Sequence, residues 1–333
     1  MLDSIRLHAL YLWLLSCSLF LGPLVAQPGV YDPLRVAPSA ASETADFVVK
    51  DAGRNREIPV RVYLPPGVEA APVVLFSHGL GGSLEGCAYL GRHWSARGYV
   101  AVFLQHPGSD ESLWRGKPWG TRREAMRRAA DLQNFLLRVG DVPAVLDQLE
   151  IWNKVDGHSL QGRLDPARIG MAGYSFGALT TQAVTGETFV GKRSYTDPRI
   201  RVAIILSPSG PGLGLDPAEA FGTVAIPWML MTGTEDVVPI GNSDLDSRLS
   251  VFPALPPGGK YELVLYGAGH SAFADESFRR RSSEQDPNYH RAILALSTAF
   301  LDAWLRQYPE ARAWLDGRGP STVLEERDRW QKK

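Results

Sequence analysis

Gly173-Tyr174-Ser175-Phe176-Gly177 is a setting in which a serine hydroxyl can act as a nucleophile. The run Arg168-Ile169-Gly170-Met171-Ala172 before it reads as a short buried strand, and Ala178 to Val184 after it as a helix. A Gly-x-Ser-x-Gly at a strand-to-helix junction forms a sharp turn that lifts the serine Oγ above the sheet. The flanking glycines are expected to press against each other, so that a Cβ on either would clash. The chemistry this implies is acyl transfer through Ser175. Gly157-His158-Ser159-Leu160 nearly repeats the pattern but has Gln161 where the second glycine should stand. The plain alternative for Ser175 is a helix N-cap, so the surrounding machinery has to decide.

A nucleophilic serine needs a base, an acid to orient the base, and donors for the oxyanion. The strand-like Trp228-Met229-Leu230-Met231 runs into Thr232-Gly233-Thr234-Glu235-Asp236, and Asp236 is the expected acid. Glu235 is the neighbour that could be mistaken for it, and Asp216 is a distant second. Tyr261 to Tyr266 runs into Gly267-Ala268-Gly269-His270, and His270 is the expected base. The order serine, aspartate, histidine is the order of nucleophile, acid and base in one large group of hydrolases. After the apolar run Pro72 to Ser77 comes His78-Gly79-Leu80-Gly81-Gly82. A histidine–glycine pair leaving such a strand aims a backbone N–H at the reacting carbonyl, together with the N–H after the nucleophile. Those donors are Leu80 and Phe176. Cys87 reads as a small buried apolar residue.

The elements that must position these residues follow from apolar runs. Phe47 to Val49 and Ile58 to Leu64 suggest an antiparallel start. Pro72 to Ser77, Tyr99 to Leu104, Arg168 to Ala172, Val202 to Leu206, Pro227 to Met231 and Tyr261 to Tyr266 are mostly continuously apolar, as strands covered on both faces are. Helical patterns lie at Leu84 to Arg97, Thr121 to Val139, Val142 to Trp152 and His290 to Arg306, with Pro143 early in the third. The alternation predicts an α/β fold with a mostly parallel sheet of about eight strands and helices on both faces. Residues 107–165 are too long for a plain crossover and predict a helical insertion at the mouth of the sheet. Trp114 and Trp119 within it either pack locally or wall a pocket. Residues 308–333 read as a C-terminal tail, which with 107–165 is expected to shape the substrate pocket.

Net charge is −1, which gives no reason to expect nucleic acid or an anionic surface as partner. Arg122-Arg123 and Arg127-Arg128 are interleaved with Glu124 and Asp131 and read as a solvated helix face. Residues 1–26 carry Arg6 and His8, an apolar core from Leu10 to Phe20, and Gly22-Pro23 before Ala26. This is the layout of a signal peptide, so a secreted or periplasmic location is expected, with a signal anchor as the alternative. Residues 27–333 then form one domain without stable membrane insertion and, with Cys87 alone, without an internal disulfide. No Cys/His cluster has metal-ligand spacing, and no cofactor or metal is expected. Gly186 to Lys192 mimics a phosphate loop, but Arg193 stands where Ser or Thr is needed and a helix precedes it.

The segments Val73 to Gly82, Gln105-His106-Pro107-Gly108-Ser109-Asp110, Gly173 to Ala178 and Gly267 to His270 together carry a family resemblance. From residue 45 to 305 the chain resembles α/β-hydrolases of the bacterial predicted-dienelactone-hydrolase group, and it is similar to platelet-activating-factor acetylhydrolases. The resemblance implies the α/β-hydrolase fold and serine ester hydrolysis without a cofactor. Two departures limit it. True dienelactone hydrolases use a cysteine nucleophile, and the acetylhydrolases usually have histidine where Tyr174 stands. The expectation is an exported serine hydrolase of small or short-acyl carboxylic esters, with catalytic Ser175, Asp236 and His270. A peptidase or amidase using the same triad, and a non-catalytic binding module, are the alternatives.

Overall fold

Eight apolar runs of the sequence become strands, and a polar segment supplies a ninth. In chain order the sheet strands are β1 (Glu43–Asp51), β2 (Arg56–Leu64), β3 (Ala71–Ser77), β4 (Val100–Leu104), β5 (Leu164–Tyr174), β6 (Ile200–Leu206), β7 (Trp228–Glu235), β8 (Lys260–Gly269) and β9 (Arg329–Lys332). The computed structural model describes residues 31–36, 43–67, 69–238, 240, 244–275 and 288–333. The expected leader lies outside these residues. Residues from Asp32 onward cluster as one unit.

The sheet order is β1-β2-β4-β3-β5-β6-β7-β8-β9. β1, β2 and β9 pair antiparallel with their neighbours, and the six strands β3 to β8 run parallel to one another. Every residue of β3 and β4 is buried, as expected where both faces are covered. The expected count of about eight is corrected to nine. β9 escapes a hydrophobicity reading because its sequence is Arg-Trp-Gln-Lys: it pairs through its backbone at the sheet edge, and only Trp330 packs, on the ring of Tyr261 at 5.5 Å.

The helices are α1 (Ala88–Ala96), α2 (Trp119–Ala129), α3 (Leu132–Trp152), α4 (Phe176–Thr185), the short α5 (Pro217–Phe221), α6 (Leu245–Leu249) and α7 (Val251–Ala254), then α8 (Asn288–Trp304) and α9 (Pro309–Asp316). Val100, Val102 and Leu104 of β4 join a core with Val139, Val142 and Leu146 of α3. Phe103, which points the other way, meets Gly91 of α1, and the Trp94 indole of α1 donates to Ser297 of α8 at 3.3 Å. Helices therefore cover both faces. Each fully buried aliphatic or aromatic side chain in these layers contributes about 1.5–3 kcal/mol.

Two boundaries differ from expectation. The helix break falls at Ala130-Asp131 rather than near Gly140, because the Asp131 carboxylate accepts from the Asn134 N–H at 2.7 Å and caps α3. Pro143 then sits inside α3, where the buried face Val139-Val142-Val145-Leu146 holds the helix despite the missing N–H. The expected tail is a helix and an edge strand, α9 and β9, and no residue after Tyr308 lines either cavity at the site described next.

Candidate active site

Ser175 joins β5 to α4 with φ +58° and ψ −115°, a conformation an L-residue adopts only when its surroundings impose it. The packing that imposes it is specific. A Cβ on Gly173 would lie 2.1 Å from Gly177 O, so the first glycine is pressed against the turn as expected. A Cβ on Gly177 would instead lie 1.9 Å from Ser77 O. The second glycine is thus required by the end of β3, which brings the Ser175 turn against the His78–Gly82 loop.

The parallel strands end at one edge, and their C-terminal residues converge there. His270, just past β8, has Nε2 at 2.9 Å from Ser175 Oγ and Nδ1 at 2.7 Å from Asp236 Oδ1. Asp236, just past β7, is fully buried. With Nδ1–H donating to the carboxylate, Nε2 is free to accept the Ser175 proton. Burial pushes the Asp236 carboxyl up. The hydrogen bond from His270, the charges of His270 and Arg248, and the Ser207 hydroxyl outweigh it and hold the carboxyl below its ordinary range. Glu235 is exposed at the rim, and Asp216 caps α5 by accepting from Ala218 N at 2.8 Å.

Leu80 and Phe176 both border a cavity of about 350 Å³ together with Ser175, Phe135, Leu179 and Phe189. Leu80 and Ser175 also border a cleft of about 520 Å³ with His270, Tyr174, Met126 and Cys87. Phe176 is the first residue of α4, so its N–H has no acceptor within the helix. Among the described residues no three His, Cys, Asp or Glu side chains converge as metal ligands would. No protein-family model matches the chain, and no curated protein matches it.

Sequence reasoning missed the residues behind these. Ser207, with φ +65°, donates to Asp236 Oδ2 at 2.6 Å and lies 3.0 Å from His270 Nδ1. Thr232 donates to the same oxygen at 2.9 Å. Arg248 of α6 binds the Asp236, Ser207 and Pro208 carbonyls at 2.9, 3.0 and 2.6 Å. The signal for Ser207 was a hydroxyl directly after the apolar run ending at Leu206, at the C-terminal end of a strand as Asp236 is. Tyr174, the departure from the acetylhydrolase pattern, donates its hydroxyl to His270 O at 2.8 Å and so holds the histidine loop.

A second buried network stands beneath the His78–Gly82 loop. His106 has Nε2 at 2.9 Å from Ser77 Oγ and Nδ1 at 2.9 Å from Asp141 Oδ2, and all three residues are fully buried. Arg138 of α3 lies beside them; burial pushes its guanidinium down to about 9 against the pull of Asp141 and Asp110. The signal for Arg138 was a charge on the apolar face of its helix, one residue before Val139. Trp114 packs on the loop and donates its indole N–H to Gly81 O at 2.7 Å, whereas Trp119 is 77% exposed. Arg127 and Arg128 pair with Glu124 on an exposed face. Cys87 is buried, and burial pushes its thiol well up.

Proposed function

We propose that this chain is an exported serine hydrolase of the α/β-hydrolase fold that cleaves small or short-acyl carboxylic esters. The observation that carries the reading is the continuous hydrogen-bonded line from Ser175 Oγ through the His270 imidazole to the buried Asp236 carboxylate, set on a serine with positive φ. The strand order β1-β2-β4-β3-β5-β6-β7-β8, with nucleophile after β5, acid after β7 and base after β8, supports the fold assignment.

In this reading His270 Nε2 takes the proton as Ser175 Oγ attacks the ester carbonyl. Asp236 holds the imidazole in the Nδ1–H tautomer and stabilises the imidazolium. The N–H groups of Leu80 and Phe176 receive the oxyanion. The imidazolium protonates the leaving alcohol, and an acyl-enzyme remains on Ser175. Water then gives a proton to His270 as it attacks the acyl carbon, and the imidazolium returns that proton to Ser175 Oγ as the acyl–oxygen bond breaks and the acid leaves. The apolar cavity of about 350 Å³ beside Ser175 falls at the small end of ligand pockets, which favours short acyl groups.

Hydrolysis of p-nitrophenyl esters from acetate to palmitate tests this. Turnover should peak at short chains and fall by at least about 10,000-fold in Ser175→Ala. A folded wild type no faster than that variant on every ester contradicts the reading.

A further inference from the structure

Arg138 is the best-buried cation near Ser175; Asp141 and Asp110 attract it, but among the described residues no carboxylate accepts a hydrogen bond from it. Its donors go to neutral acceptors. Nη1 donates to His78 O at 2.6 Å and lies 3.4 Å from Ser77 Oγ; Nη2 donates to Gly79 O and Ser109 O, both at 3.3 Å; Nε donates to Ser109 Oγ at 2.8 Å. A desolvated cation held on neutral groups is unfavourable by itself. What it gains is the fixed orientation of one peptide.

Gly79 O accepts three donors: Arg138 Nη2, the Gly82 N–H at 3.0 Å and His78 Nδ1 at 2.6 Å. The His78 proton sits on Nδ1, because its Nε2 accepts from the His106 N–H at 3.1 Å. The Gly79–Leu80 peptide is planar and trans, so its N–H points opposite to its C=O. With the carbonyl pinned from the Arg138 side, the Leu80 N–H is directed away from α3. Ser175 lies close by: a Cβ on Gly79 would sit 3.3 Å from Ser175 Cβ. The Arg138 guanidinium also lies 4.4 Å from the centre of the Phe176 ring, so the same group touches Phe176 and the carbonyl end of the peptide whose N–H is the expected Leu80 donor. A cation on the carbonyl end of a peptide draws electron density through it and strengthens its N–H as a donor.

We propose that Arg138 is a positioning residue for the oxyanion site, orienting and polarising the Gly79–Leu80 peptide and seating Phe176. The inference rests on the hydrolase reading above. It assigns to Arg138 an effect on the transition state and not on ester binding.

The test compares Arg138→Met, Arg138→Lys and His78→Gln with wild type, using p-nitrophenyl acetate and an alkyl trifluoromethyl ketone. Such a ketone forms a tetrahedral oxyanion on the active serine. Arg138→Met should lower kcat by about 10- to 100-fold, short of the loss of a whole donor, with KM changed less than about threefold. Ketone affinity should fall in parallel with kcat. Arg138→Lys should recover part of both, and His78→Gln should lower both by about tenfold. A folded Arg138→Met with unchanged kcat, or with its loss confined to KM, overturns the proposal. So does unfolding of all three variants, which would make the role structural. If Arg138→Met alone fails to fold, the other two variants decide by the same criteria. A wild type that binds no ketone and cleaves no ester defeats the hydrolase reading itself, an outcome distinct from active variants that match wild type.

Discussion

His106 never meets solvent, and that gives the molecule a pH response separate from any catalysis. Burial and the neighbouring Arg138 push its imidazole down to about 4 against the pull of Asp141. In the unfolded chain the group titrates near 6.5. Above pH 6.5 it is neutral in both states; as pH falls from 6.5 to 4 the unfolded chain gains a proton that the folded chain refuses. The stability that the buried neutral imidazole supports is therefore lost across that window, by about 3 kcal/mol. Buried carboxyls such as Glu187 and Glu262 are raised and act with the opposite sign, so the clean observable is a difference. The stability gap between wild type and His106→Gln, measured by urea unfolding, should be about 3 kcal/mol narrower at pH 4 than at pH 7. A gap that stays constant contradicts the assignment. Single residues were legible in the sequence where they follow apolar runs: Ser175, Asp236, His270 and Leu80 all leave strand ends. His106 also does, but its partner Asp141 lies 35 residues away on α3, and only packing brings the two together. Arg138 was hidden in the same way, 60 residues from His78 and 29 from Ser109.

At the scale of elements, the Ser175 turn is held by contact with β3 as well as within its own pentapeptide. Gly177→Ala places a methyl 1.9 Å from Ser77 O, where backbone and not a side-chain tip must move. The turn and the His78–Gly82 loop should separate, costing more than about 3 kcal/mol of stability and at least about 100-fold in kcat. Gly120→Ala in α2, where a Cβ meets nothing within 4 Å, serves as control. That change should leave activity intact and add up to about 1 kcal/mol. Thermal unfolding and ester turnover of the two variants check both expectations; equal behaviour would contradict them. Elements were legible where burial is two-sided, as in β3 to β8. The α2–α3 boundary was not, because the Asp131 cap is one aspartate among many and Pro143 gave a stronger but misleading signal. β9 was not, because an edge strand paired through its backbone need carry no apolar pattern.

Across the whole molecule, the C-terminal ends of β3, β5, β7 and β8 bring one loop each to a single edge. This is the arrangement in which open parallel sheets build their sites. The two cavities meet at Ser175, one bordered by Phe135, Leu179 and Phe189 and one by His270 and Glu235. The net charge of −1 gives no overall field to steer a charged ligand. The central claim is that Ser175 is a nucleophile activated by the fold. Treatment with a fluorophosphonate, followed by peptide mass mapping, tests it directly. The account predicts a single phosphonyl adduct on the peptide containing Ser175, absent in Ser175→Ala and in the urea-unfolded chain. An unmodified folded protein, or an adduct on another residue such as Ser207 with Ser175 untouched, would contradict it.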